Sequence, residues 1–148
     1  MQAHTFSIRL GNWDEARTGA SRVRELVFVH EQGVPPALEM DDQDVHCDHA
    51  LAYAADGEMV GTGRLLPDGH IGRMAVLKAW RGRGVGALML QALIEQARQR
   101  RHARVCLNAQ AYVIGFYRRF GFEVSGEEFK EAGIPHVAMQ RDLTAARG

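Results

Sequence analysis

Only two cysteines, Cys47 and Cys106, occur in 148 residues. That excludes a disulfide framework and predicts a reducing, cytoplasmic setting. No apolar run approaches the roughly 18 residues of a membrane span. The Met1–Leu10 stretch is charged and alternating, unlike the apolar core of a signal peptide. Lys and Arg total 18, as do Asp and Glu, so the net charge is zero. Nothing therefore draws the chain as a whole to nucleic acid or to an anionic membrane, and neither is expected as a partner. Repeats, low-complexity tracts and linker-like stretches are missing too, so residues 1–148 are expected to form one domain. What is there is ordinary globular composition, 46% hydrophobic and 24% charged, enough for a core without staples.

Phe6, Ile8 and Leu10 alternate with polar residues and predict a half-buried strand. Gly11 and Asn12 break it, and Asp14 is placed to cap a helix that runs toward Val29. Val23, Leu26, Val27 and His30 fall on one face of that helix. Gly33, Pro35 and Pro36 end it. An acidic loop follows, with Glu39, Asp41, Asp42, Asp44 and Asp48. Ala50–Ala54 and Met59–Leu66 predict two strands about an Asp56-Gly57 hairpin turn, and Ile71–Val76 predicts a third. Val85, Leu88, Met89, Ala92, Leu93, Gln96 and Ala97 keep helical spacing. Arg104–Asn108 predicts a strand and Ala111–Phe120 a short helix stopped by Gly121. Phe122–Val124 and His136–Arg141 predict the last strands. Hairpin neighbours imply antiparallel pairing, and the strand–helix–strand unit from Ile71 to Asn108 implies one parallel, right-handed crossover. The fold class is therefore mixed α/β, with a largely antiparallel sheet flanked by helices.

Arg81-Gly82-Arg83-Gly84-Val85-Gly86 precedes the clearest helix. Alternating glycines let a ligand reach backbone N–H groups at a helix N-terminus, an anion site suited to phosphate, and two arginines add charge. The Walker A pattern is absent. A dinucleotide fingerprint fits poorly, because Leu77–Arg81 separate the strand from the first glycine and Asn108 stands where a ribose-binding acid belongs. A plain glycine turn before a helix is the bland alternative.

Three segments in order carry a family resemblance: Arg73-Met74-Ala75-Val76, the glycine loop, and Phe116-Tyr117-Arg118-Arg119-Phe120-Gly121-Phe122. Together they closely resemble the GNAT superfamily of acetyl-coenzyme A-dependent N-acyltransferases. Glu31-Gln32-Gly33-Val34-Pro35, Leu107-Asn108-Ala109-Gln110 and Gly133-Ile134-Pro135-His136 are similar to a bacterial branch of it that points to no particular substrate. The resemblance implies a sheet whose one parallel pair splays at a cofactor cleft, and acetyl-coenzyme A as cosubstrate. It implies that the Met74, Ala75 and Val76 backbone meets the pantetheine and thioester. It implies that Arg81, Gly82, Arg83, Gly84, Val85 and Gly86 hold the pyrophosphate, and that Asn108 marks the splay. Tyr117 matches the tyrosine that protonates the departing thiolate. The implied reaction is direct acetyl transfer to a primary amine, with a small molecule as the expected acceptor. A second copy of the chain stays an open partner. A non-catalytic acyl-coenzyme A-binding module and another phosphate-ligand protein are the rival readings.

The attacking amine must lose a proton. Better-understood branches use a glutamate on the strand leading to the cofactor, but here the stretch reads Ile71-Gly72-Arg73, and an arginine is no base at neutral pH. Glu31, Glu39, Asp41, Asp44, His49 and His136 are the candidates, with Glu31, His49 and His136 as expected substrate-side residues. The acidic loop either attracts a cationic amine or is a solvated run. His46-Cys47-Asp48-His49 matches no common zinc spacing, and no metal is expected. Cys106 reads as a small buried hydrophobe.

Overall fold

The computed structural model describes residues 5–39 and 41–143, without the side chains of Leu38 and Glu39. The opening four residues of the Met1–Leu10 stretch thus lie outside the described residues, as does the Glu39 carboxylate. Among the described residues no helix is long and apolar enough to cross a membrane.

Among the described residues eight strands form two sheets. β1 (Phe6–Gly11), β2 (Asp48–Ala54), β3 (Met59–Leu65) and β4 (Ile71–Val76) pair antiparallel in sequence order. In the second sheet the long strand β8 (Ile134–Asp142) pairs with β5 (Arg104–Gln110), and also with β6 (Glu123–Val124) and β7 (Phe129–Glu131), all antiparallel. The predicted parallel pair is β4 with β5. It survives as a single bridge, His70 to Cys106, beyond which the strands part and open the interior.

Helix α1 (Trp13–Arg24) is capped by Asn12, not Asp14. The Asn12 side chain accepts from the Glu15 N–H while Glu15 returns a bond to the Asn12 N–H, a capping box. A π-helix, Glu25–Glu31, continues it. The wider π turn shifts the face that sequence spacing assigns. Val23 and Val27 are buried as expected, but Leu26 is 42% exposed and His30 is exposed. Pro36 opens the short α2 (Pro36–Glu39). Helix α3 (Val85–Gln99) buries Val85, Met89, Leu90, Leu93, Ile94 and Ala97. Leu88, predicted on its inner face, is exposed. The buried stripe takes in Leu90 and Ile94 because the core it faces runs continuously from one sheet into the other. Residues 111–120 split into a 3-10 turn, Ala111–Val113, and α4 (Ile114–Arg118).

Alternation along β2 assigns the two long helices to opposite faces of the first sheet. Leu51 packs with Ala16, Ala20, Val23 and Met59 on the α1 side, while Ala50 and Ala52 pack with Val60 and the α3 residues.

Strand β4 is not regular. Thr62 pairs with Ala75 and Arg64 with Gly72, so Gly63 faces both Arg73 and Met74, a β-bulge. Arg73 adopts a φ of 51° there, a conformation that an L-residue holds only when its surroundings impose it. A side chain at position 63 would collide with Met74 Sδ. The bulge turns the backbone just where β4 leaves β5.

Candidate active site

The gap between β4 and β5 widens into a cleft of about 960 Å³. Its walls come from the π-helix (Val27, Phe28), bulged β4 (Arg73 to Val76), the glycine loop, β5 (Asn108, Gln110), the turn and α4 (Tyr112, Tyr117) and the β7–β8 hairpin (Glu131, His136). Of the residues singled out from sequence, Met74, Ala75, Val76, Arg81, Gly82, Gly84, Val85, Gly86, Asn108, Tyr117 and His136 line it. Asn108 is exposed on β5, past the last bridge to β4, which is the splay expected there.

Gly82 and Gly84 hold φ of 77° and 87°. Gly84 is the N-cap of α3 and offers no capping side chain, so the first N–H groups of a 15-residue helix face the cleft without a side-chain acceptor. That is an anion cradle, and it fits a pyrophosphate. Space around Gly84 is open, so the cost of a side chain there is in the backbone. Gly84→Ala is expected to cost about 1–2 kcal/mol of stability, measured by urea unfolding, and to weaken anion binding at the loop.

The arginines differ from expectation. Arg81 Nε donates to the Val76 carbonyl at 2.9 Å, and its two terminal nitrogens grip Glu31 at 2.5 and 2.6 Å. Arg81 thus clamps the glycine loop to β4 and to the π-helix. The Arg81 bond holds the Glu31 carboxyl below its ordinary range, so Glu31 is an ionised clamp rather than a base. Arg83 lies over the Trp80 ring at 4.8 Å and is not part of the cleft wall.

His49 is a correction. It is 1% exposed, packed against the Trp13 ring at 5.1 Å, with Nε2 donating to the Asp44 carbonyl at 2.9 Å. It does not line the cleft, because it faces the turn of the acidic loop. The loop is exposed at Asp42 and Val45, but its Asp41, Asp44 and Asp48 carboxylates are paired with arginines rather than offered to an amine. Asp44 pairs with Arg24 at 3.0 and 3.1 Å and with Arg64 at 2.9 Å. Asp41 pairs with Arg64 at 2.9 and 2.7 Å and reaches Arg73 at 3.3 Å. Both carboxyls lie below their ordinary range. For Asp41 the Arg64 hydrogen bond is the main cause. For Asp44, burial pushes upward but is outweighed by the hydrogen bonds and charges of Arg24 and Arg64. The arginines therefore make Asp41 and Asp44 weaker bases than free carboxylates, and the network braces the strained residue of the bulge.

Tyr117 is half-buried between Phe116, at 5.1 Å, and Phe122, at 6.0 Å, both edge-on. Burial pushes its hydroxyl up to about 12, so it stays protonated and able to donate. Cys47 is buried and Cys106 half-buried; burial raises both thiols, and neither lines the cleft.

Sequence reading passed over β7. Phe129 and Glu131 alternate before Ala132-Gly133 and a strand, and that hairpin signal was available. It brings Glu131 to the cleft. The π-helix, which brings Phe28 and Gln32 there, leaves no comparable mark in the sequence.

A sheet parted at its one parallel contact, a bulged strand at the parting and an uncapped helix below it define the acyl-coenzyme A N-acyltransferase class of fold. The chain belongs to the GNAT acetyltransferase family: the family model described as "Acetyltransferase (GNAT) domain" matches residues 21–143. It is 40% identical over 134 residues to YjcF of Bacillus subtilis, described as an uncharacterized N-acetyltransferase, covering 87% of this chain and 94% of that one. Its fold superposes on the crystal structure of ElaA from Escherichia coli with a TM-score of 0.83 at 28% identity, covering 93% of this chain and 100% of the other. An acyl-CoA N-acyltransferase from Pseudomonas aeruginosa matches with a TM-score of 0.82 at 29% identity, over 93% and 99% of the two chains. Acyl transfer is the activity of the family.

Proposed function

We propose that this protein is an acetyltransferase that moves the acetyl group of acetyl-coenzyme A to a primary amine of a small molecule, directly and within one ternary complex. The observation that carries this reading is one cleft whose lining includes both the uncapped N-terminus of α3 and the β7–β8 hairpin. Donor and acceptor held in that one cleft meet at the β4 bulge, whose Arg73 and Met74 also line it. Among the described residues the cleft lining contains no cysteine, serine or threonine, which favours direct transfer over an acyl-enzyme. The two reduced thiols accord with a cytoplasmic setting.

In this reading the N–H groups at the start of α3 hold the pyrophosphate. The turned backbone of Met74 to Val76 borders the thioester, where a fixed N–H donor aimed at the developing oxyanion contributes about 3 kcal/mol in the transition state. Tyr117 gives its proton to the departing sulfur.

Thermal unfolding with acetyl-coenzyme A, free coenzyme A and NAD tests it. Ligand at a hundred times its Kd stabilises by roughly 2.7 kcal/mol, several degrees in Tm for a chain of this size. A rise with the coenzyme A ligands but not with NAD, followed by thiol release in the presence of small amines, is the expected result. A rise without turnover would identify a binding module instead. No rise at millimolar ligand would overturn the reading.

A further inference from the structure

Part of the cleft wall is the β7–β8 hairpin, whose turn residues Ala132 and Gly133 both have positive φ, 52° and 78°. Register pairs Phe129 with His136 and Glu131 with Ile134. Residues two apart on a strand share a face, so Glu131 lies on the face of Phe129. The Phe129 ring stacks on the His136 imidazole at 5.9 Å and 26°. Glu131 and His136 are therefore diagonal neighbours on one face, and both line the cleft.

His136 is 7% exposed, and its Nδ1 lies 2.7 Å from the Ile134 carbonyl oxygen. A carbonyl only accepts, so Nδ1 carries the proton and donates it. In the neutral ring Nε2 then holds a bare lone pair. Among the described residues Glu131 is the one carboxylate in the cleft lining, where the arginines are Arg73, Arg81 and Arg119. Arg73 is engaged by Asp41 and Arg81 by Glu31. The cleft is thus polarised, with an anion cradle at α3 and a carboxylate beside an imidazole at the hairpin.

We infer that Glu131 and His136 form the acceptor subsite and that it takes a small primary amine in its cationic form. This rests on the transferase reading above. The Glu131 carboxylate holds the ammonium, and His136 Nε2 removes one proton, leaving a neutral amine and an imidazolium. The nitrogen lone pair forms the new N–C bond at the thioester carbonyl, and the C–S bond breaks. The nitrogen loses two protons in all. One passes through His136 to solvent, and the other balances the proton that Tyr117 gives to sulfur. The titratable and charged groups that line the cleft with His136 are Glu131 from β7, Tyr112, Tyr117 and Arg119 from the segment after β5, Arg73 from β4 and Arg81 from the glycine loop. β5 itself offers the uncharged Asn108 and Gln110.

Thiol release from acetyl-coenzyme A, with benzylamine, tryptamine and cadaverine as cationic acceptors and aniline as a neutral one, tests the inference. His136→Asn keeps a donor where Nδ1 stands and deletes Nε2; His136→Gln is the second variant. Each is expected to lower kcat with the cationic amines about a hundredfold at neutral pH, with the loss shrinking as pH rises and solvent supplies neutral amine. Glu131→Gln is expected to raise KM for the cationic amines about tenfold, by the loss of one charge-assisted contact, and to leave KM for aniline unchanged. The Tm rise with acetyl-coenzyme A should persist in all three, which separates the acceptor subsite from cosubstrate binding. Wild-type kcat and pH profile in both His136 variants, or a loss that no rise in pH relieves, would overturn the role of His136 while the transferase stands. If the wild-type protein releases no thiol with any amine, the transferase reading falls and this inference with it.

Discussion

Tyr117→Phe is expected to lower kcat by about 10³-fold while leaving the affinity for acetyl-coenzyme A unchanged, an effect of the size seen when a positioned general acid is removed. The ring contacts with Phe116 and Phe122 are kept by phenylalanine, so the aromatic cluster stays packed. Among the described residues the hydroxyl has no hydrogen-bond partner within the chain, and its deletion orphans no buried group. Stability should therefore change little, and the loss should be in the chemical step. A hydroxyl pushed up to about 12 by burial remains protonated over any practical assay range, so no basic limb from Tyr117 is expected in the wild-type profile. The measurement is a pair: kcat by thiol release, and Kd for acetyl-coenzyme A by calorimetry. Undiminished kcat in the variant would remove Tyr117 from the mechanism.

The largest stability effect is expected at Asp44, which the mechanism does not use. Arg24, Asp44 and Arg64 are 1%, 3% and 5% exposed. Asp44→Ala takes from two buried guanidiniums the carboxylate they share, and breaking a buried pair in this way costs about 3–5 kcal/mol. Urea unfolding at neutral pH would read it directly. The acid dependence follows from the directions of the shifts. His49 is kept neutral chiefly by burial, so the unfolded chain takes up its proton first and stability starts to fall below the ordinary imidazole value of 6.5. The Asp41 and Asp44 carboxyls are depressed in the folded state. Their contribution is present above the ordinary value of 3.8 and is lost as pH falls below it. A second decline is therefore expected in that acid range, and it should be smaller in Asp44→Ala. A loss under 1 kcal/mol in that variant would mean that the network contributes little net stability.

Much of this molecule was legible because it is local. Periodicity marks a strand or helix from neighbours alone, so β1 to β5, α3 and the first long helix were readable to within a residue or two, with α1 handing over to a π-helix. The glycine loop was readable for the same reason: positive φ at Gly82 and Gly84 is something only glycine adopts freely. Two errors were themselves local, in the details of one helix. Asp14 lost the cap to Asn12, whose side chain closes a capping box with Glu15. The π turn moved Leu26 and His30 to solvent.

The sequence by itself determined the order of the strands up to β5, the parallel crossover and the glycine turn before α3, since each follows from backbone preference or apolar spacing within a short window. The tertiary structure alone decided what the charged residues do. Glu31 meets an arginine 50 positions away, and Asp41 and Asp44 meet Arg64 across 23 and 20. A carboxylate's charge state and reach depend on such partners, and sequence spacing does not contain them. The β7–β8 hairpin brings Glu131 and His136 together at the cleft, and only the folded register puts a carboxylate and an imidazole with a bare lone pair on the same face.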